Sequence, residues 1–449
     1  MPKTQQQKQT NYKEYADSFV KMFPTVTFIK DKDIVSYVFR KTHWSLLYDF
    51  EIEKELAKLS SFMLSNHSIK EITRKIKAMS FVNRPPFEDI TFKIALRNGT
   101  YNFKTFQLEH THRKDDYLLH FIDVDYNPKA KGHNFDGFLS EVAQNHEIPL
   151  IEEIFGYCLY PTYVYHKAFM LVGDGRNGKS TLLKVLREFL GRENVSSVKL
   201  HDIVNHRFKA AALAGKMANI AADISSREIV YTDDLKALTG GGDPIVVEWK
   251  GQQAFDLYNI AKMIFSANKV PAAKDDSVAW FDRWIFVNFL RSFRGNKAKN
   301  QDDLIAAMTT DEEFSNILNH AIAGLLRLNQ RGGFNIQSTK FMKQQYLIRS
   351  NPHKYYLDLC PRGEFSSCTK DALYGSFKKW CDDKKITDIA SKDMFCKEVK
   401  KLPYVTEIRP GAKNGDRPRK WRGIRQPKKE EFYEPEEPLI RTPWKKKSV

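Results

Sequence analysis

The chain has 449 residues, 42% of them hydrophobic and 13% aromatic, enough apolar material for two to four folded domains and too much for global disorder. Its formal net charge of +17 points to a polyanionic partner, nucleic acid ahead of an anionic membrane surface. The five cysteines form no C-x-x-C pair, the N-terminus MPKTQQQKQT lacks an apolar run, and no stretch approaches the roughly 20 apolar residues of a membrane span, so a disulfide framework, a zinc finger, a signal peptide and a membrane span are set aside and a cytoplasmic protein is expected.

Residues 1–90 read as a mainly helical N-terminal region, because EIEKELAKLSSFMLSNHSIKEITRKIKAMSF carries apolar residues at helical spacing. Residues 91–160 turn to short strands, TFKIALRNGTYNF and DDYLLHFIDVDYNP, with Asn98-Gly99 as a turn signal, and return to helix in FDGFLSEVAQNHEIPLIEEIFGYCLY. Asp123 and Asp125 make an acid–x–acid pair that can hold two metals. No further acid or histidine is placed to complete a polymerase site, so they read as a strand-end pair.

Residues 161–300 carry the most specific signal. The apolar run AFMLV leads into Gly173-Asp174-Gly175-Arg176-Asn177-Gly178-Lys179-Ser180, followed by Thr181 and the helical pattern TLLKVLREFL. This is G-x-x-x-x-G-K-[ST] in its strand–turn–helix context. The glycines let backbone N–H groups wrap phosphate oxygens at a helix N-terminus. Lys179 suits the β and γ phosphates, and the Ser180 hydroxyl suits Mg²⁺. A metal-holding or water-polarising acid is then needed at a second strand end. Asp223, after NIAA, is the first choice. Asp233 and Asp234 are the alternatives, and they also read as N-terminal helix charges. Asn268 ends the apolar run KMIFSA, where a polar residue reaches the ligand crevice or merely makes a turn. Arg283 precedes WIFVNF, either as an arginine finger or as a surface residue. IVVEWKGQQAFDL reads as a hairpin with Trp249 and Lys250 at its tip, a contact for a nucleic-acid backbone or an ordinary exposed turn.

Residues 301–350 read as a helical connection. Residues 351–425 read as a separate small α/β unit, with two helical patterns and then the turn-rich VTEIRPGAKNGDRPRKWRGI, a hairpin in expectation. Residues 391–425 hold eleven Lys or Arg against four Asp or Glu, with Arg417, Arg419, Lys420 and Arg422 clustered around Trp421. Such a cluster displaces counterions from DNA. Residues 426–449 are charged and proline-rich, as expected of a disordered tail.

The ordered series GDGRNGKST, NIAADIS, LKALTGGGDPIVVEWKG, FSANKVP and FDRWIFVNF resembles superfamily-three helicases, the helicase half of phage, plasmid and poxvirus-type primase-helicases. The resemblance spans residues 90–425, and about 160 upstream residues leave no room for a primase-polymerase domain beside the accessory domain. Asp223 stands where relatives often carry Glu, and Gly240-Gly241-Gly242 is one residue longer than the usual pair. The resemblance implies an α/β fold: an AAA+ P-loop ATPase core, a helicase-associated accessory domain at 91–160 and a C-terminal winged helix. It implies ATP and Mg²⁺ between subunits of a homo-hexamer in a bacterial or archaeal host cell. Lys179, Asp223 and Asn268 would come from one subunit and Arg283 from its neighbour, with Lys236 also facing the nucleotide. Lys250 would line a channel for single-stranded or forked DNA, tracked 3′ to 5′ during replication of a mobile element. A separate primase or host replication proteins are the further partners. The rival readings are an ATP-switched initiator or loader that binds origin duplex DNA with little unwinding, and a P-loop metabolic kinase, which the basic wing disfavours.

Overall fold

The computed structural model describes residues 5–423 apart from 31, 62, 206, 252, 276, 294–299, 336–338, 361–367, 385, 387–388, 404 and 409–419. Two compact units divide the chain, residues 1–350 and 351–449. None of the described helices is long and apolar enough to cross a membrane.

The N-terminal region is not only helical. Helices Gln5–Met22, Asp49–Leu59 and Asn66–Met79 accompany an antiparallel sheet of Thr25–Lys30, Asp33–Phe39 and Trp44–Leu46. The helical reading passed over TVTFIK and DIVSYVF, two runs of β-branched and aromatic residues that pair from Thr25↔Val38 to Lys30↔Asp33. Inside this layer Thr27 shares its hydroxyl with Ser36 (2.9 Å) and Ser80 (2.8 Å), so all three buried hydroxyls are satisfied. Ile69, Ile72 and Ile76 line one face of Asn66–Met79 and bury it.

A second small sheet follows, ordered Gln107–Glu109, Gly99–Asn102, Lys93–Leu96, Phe121–Ile122. The Arg97-Asn98 turn joins Leu96 to its partner Gly99. Arg97 reaches Asp123 (2.8 Å), Asp125 (3.4 Å) and Asp311 (3.1 Å). The acid–x–acid pair is therefore occupied by a guanidinium, in keeping with its strand-end reading, and no cluster of three metal-ligating side chains exists among the described residues.

The centre is a five-stranded, all-parallel sheet ordered Trp284–Asn288, Ala168–Val172, Lys262–Ala267, Ala218–Ala221, Val195–Ser196. Numbered along the chain the order is 5-1-4-3-2. Lys262–Ala267 is buried at every position, and Trp284–Asn288 at all but its last, rather than alternating, because helices cover both faces. The chain leaves Ala168–Val172 toward Val195–Ser196 on one side and leaves Lys262–Ala267 toward Trp284–Asn288 on the other, so a crevice opens at the carboxyl ends of these two neighbouring strands.

Helix Asp311–Arg331 braces this arrangement from outside. Glu313, 4% exposed, accepts from the backbone N–H groups of Asn134 (2.8 Å) and Phe135 (3.0 Å), capping helix His133–Val142. His320 lies between Asp136 (2.8 Å) on that helix and Glu152 (2.8 Å) on helix Ile148–Leu159. Arg327 also faces Glu152. The bond to Glu152 raises the His320 pKa from its usual 6.5, against an opposing effect of burial. A raised folded-state value means stability that is full below the unfolded value and lost as pH rises through the folded one. The melting temperature is expected to fall by roughly 1–2 °C more between about pH 6 and about pH 9 in the native chain than in His320→Gln. Parallel slopes in calorimetry at the two pH values would refute this linkage.

The C-terminal unit has helices Pro352–Leu359, Lys370–Asp383 and Lys392–Lys400, then antiparallel strands Val405–Ile408 and Lys420–Gly423. Phe377 and Phe395 stack at 4.7 Å in its core. Trp421 is fully buried there beneath Lys370, so it is a core residue despite its cationic sequence neighbours. Arg417 and Arg419, the side chains of Lys420 and Arg422, and the expected tail 426–449 lie outside the described residues.

Candidate active site

The Gly173–Ser180 loop leaves Ala168–Val172 at the crevice and enters helix Lys179–Leu190. Two glycines make the path feasible. Gly178 caps the helix at φ +89°, and a Cβ there would meet Val142 at 2.6 Å. A Cβ on Gly173 would sit 2.2 Å from the Phe289 carbonyl oxygen. Asn177, buried, donates to that same carbonyl at 3.1 Å and anchors the loop.

Lys179 is 3% exposed and its ammonium donates to Gly173 O, Asp174 O (3.2 Å), Asn177 Oδ1 (2.9 Å) and Asn268 Oδ1 (3.3 Å). Burial lowers its pKa, while Asp223 and Asp174 act in the opposite sense. The bond to Asn268 joins two residues 89 positions apart, because the segments that carry them leave neighbouring strands, Ala168–Val172 and Lys262–Ala267.

Asp223 follows Ala218–Ala221 with φ +51°, a left-handed conformation that Asp tolerates better than most residues. Its N–H is held by Ser266 Oγ at 3.2 Å. The turn brings Asp223 to a cleft of about 590 Å³ that residues 175–181 and Asn268 also line. Asp233 and Asp234 do not reach it. They open helix Asp233–Leu238, where Asp233 pairs with Lys236 at 2.8 Å. The exposed Ser180 hydroxyl and the Asp223 carboxylate offer hard oxygen donors on one cleft, a set that fits Mg²⁺ completed by phosphates and water.

Arg283 is elsewhere. It precedes Trp284–Asn288 and so stands at the amino end of the sheet, while the cleft opens at the carboxyl end, a strand length of roughly 16 Å away. Its guanidinium donates to Ala279 O (2.6 Å) and Lys236 O (3.3 Å). Burial lowers its pKa. Lys236 is held by Asp233 and by Asp275 (3.0 Å), beside Arg283 and not at the chain's own cleft.

Ile245–Glu248 and Ala254–Leu257 pair as a hairpin from Ile245↔Leu257 to Glu248↔Ala254. Gly251 turns the tip at φ +80°. Trp249 is 41% exposed there beside the exposed Lys250.

The sequence reading missed the opposite wall: Phe138, Glu141 and Val142 of helix His133–Val142, Phe293, and Gln301 and Leu304 of helix Gln301–Met308. Gln301 donates to Thr181 Oγ1 at 3.0 Å and so joins this wall to the loop's helix. The spacing of Phe135, Phe138, Leu139 and Val142 was visible, but it marks a buried stripe and not which cavity the stripe faces.

Residues 12–144 match a family model described as D5 N terminal like, and residues 171–283 match a family of unknown function, DUF5906. No curated protein matches. Among solved structures the chain is similar to the apo structure of the NrS-1 C terminal region, at 10% identity and TM-score 0.48, covering 91% of this chain and 98% of that one. It is also similar to an A form apo structure of that region, at 10% identity and TM-score 0.46, covering 74% of each chain.

Proposed function

We propose that the chain is an ATP-dependent DNA helicase of a mobile replicon, an AAA+ ATPase that assembles as a homo-hexameric ring. The observation that carries this reading is the convergence of Lys179, Ser180, Asp223 and Asn268 on one cleft at the carboxyl ends of adjacent parallel strands. The loop N–H groups of residues 174–178 cradle phosphates, with Thr181 behind them in the helix. Lys179 neutralises the β and γ oxygens, and Asn268 senses the γ-phosphate through its bond to Lys179. Asp223 and Ser180 would hold magnesium, which would supply further charge neutralisation. Asp223 orients the attacking water.

Arg283 supports assembly. An arginine that cannot reach its own cleft acts on a neighbour's, in a head-to-tail contact that closes a ring. Lys236 shares that edge. The Trp249–Lys250 tip stacks on bases and grips phosphates of one strand, moving 3′ to 5′. Three helices and an antiparallel pair suit the C-terminal unit to a winged helix on duplex or forked DNA. The test is phosphate release with and without single-stranded DNA. Stimulation is expected, and its loss in Lys250→Ala with basal hydrolysis retained. Hydrolysis indifferent to DNA would remove the motor reading.

A further inference from the structure

Helix Thr339–Ser350 ends at the boundary with the C-terminal unit, and no sequence motif marks it. One of its residues, Tyr346, is 1% exposed and touches two parts of the proposed reaction apparatus at once. Its hydroxyl donates to the Pro271 carbonyl at 2.7 Å, three residues beyond Asn268. Its ring meets Phe281 edge-on at 5.4 Å and Trp280 at 6.0 Å, and lies 6.4 Å from Trp284. These three aromatic residues flank Arg283. Burial raises the phenol's pKa, so the hydroxyl keeps its proton and remains a donor.

The surroundings make this a clasp. The loop beyond Pro271 is pinned on its other side, where Ile229 N–H bonds Ala272 O (2.7 Å) and Lys274 N–H bonds Ile229 O (3.0 Å). Further along the helix, Lys343 lies over the Phe281 ring at 5.3 Å, and Arg349 donates to Asn288 Oδ1 at 2.8 Å on the strand that follows Arg283. A shift of the Asn268 loop therefore moves the Tyr346 hydroxyl. The ring of Tyr346, buried against Trp280, Phe281 and Trp284, links that loop to the segment that carries Arg283.

We propose that Tyr346 is a positioning residue that couples the Asn268 loop to the Arg283 segment, so that engagement of a γ-phosphate in one cleft sets the arginine offered to the next. This rests on the nucleotide reading of the cleft given above. Tyr346→Phe isolates the hydroxyl and keeps the packed ring.

Steady-state ATP hydrolysis by Tyr346→Phe is expected to show a kcat about tenfold lower with KM within about twofold of native, since no residue of the phosphate cradle is touched. In an Asn268→Ala background the same change is expected to cost less than about twofold, because the hydroxyl acts through that loop. An unchanged kcat, a loss carried by KM, or an equal tenfold loss in both backgrounds overturns the proposal while leaving the cleft reading intact. A Tyr346→Phe chain that no longer folds also overturns it, because the hydroxyl then serves the fold. If Asn268→Ala alone leaves hydrolysis at the native rate, the role given to Asn268 fails and the coupling falls with it.

Discussion

Lys179→Ala is expected to abolish ATP hydrolysis, by at least about 10²–10³-fold, without unfolding the protein. Two features of Lys179 argue for both halves of this result. Its ammonium is buried and its hydrogen bonds among the described residues go to carbonyl and amide oxygens of the loop and of Asn268, so its removal breaks neutral partners first. Removing a desolvated cation also relieves the cost that already lowers its pKa. What is lost is a buried cation that lines the cleft at the start of helix Lys179–Leu190, where in the proposed reaction charge develops on the transferring phosphoryl group. Phosphate release and thermal melting on the same preparation check the two halves. Hydrolysis within tenfold of native would remove Lys179 from the chemistry. Loss of the melting transition would make it a structural residue.

Arg283→Ala is expected to lower hydrolysis by about 10³–10⁵-fold while leaving ATP affinity within about twofold. The separation of effects follows from position. Arg283 stands at the amino end of the sheet, away from the cleft at the carboxyl end, and it does not line its own chain's cleft. The decisive measurement mixes Arg283→Ala with Lys179→Ala. Each variant is inactive alone, but in a ring with head-to-tail contacts about one quarter of random interfaces pair an intact cleft with an intact arginine. Recovery of hydrolysis on mixing is the expected outcome. No recovery, with mixed assembly verified by mass, would place Arg283 in a role confined to its own chain.

One side of the cleft was legible in the sequence because the Gly173–Ser180 loop, Asp223 and Asn268 each follow a run that folds as a buried parallel strand. AFMLV, NIAA and KMIFSA are short, mostly apolar and buried, and in an α/β sheet their carboxyl ends gather at one edge. Asp223 was preferred to Asp233 and Asp234, which also follow an apolar run, because NIAA suits a buried parallel strand while the other pair leads into a helical pattern. The opposite wall was illegible. Phe138 and Leu304 lie on helices more than 150 positions apart in the chain, and no local period records that they face each other. Trp421 shows the converse failure. Its sequence neighbours are cationic, which suggests an exposed stacking residue, but cross-strand pairing with Glu407 turns it into the core of its unit. The ion pair of Lys236 with Asp275, 39 positions later, was equally illegible, and it places Lys236 at the Arg283 edge and not at its own chain's cleft.

The measurement that tests the central claim most directly is displacement of a labelled strand from forked DNA, with ATP, by the native chain and by Lys179→Ala. The account predicts displacement by the native chain alone, requiring a 3′ single-stranded arm and ceasing when ATP is replaced by a non-hydrolysable analogue. Hydrolysis and DNA binding with no displacement on any fork would contradict it, and would leave an ATP-switched initiator or loader as the function of this cleft.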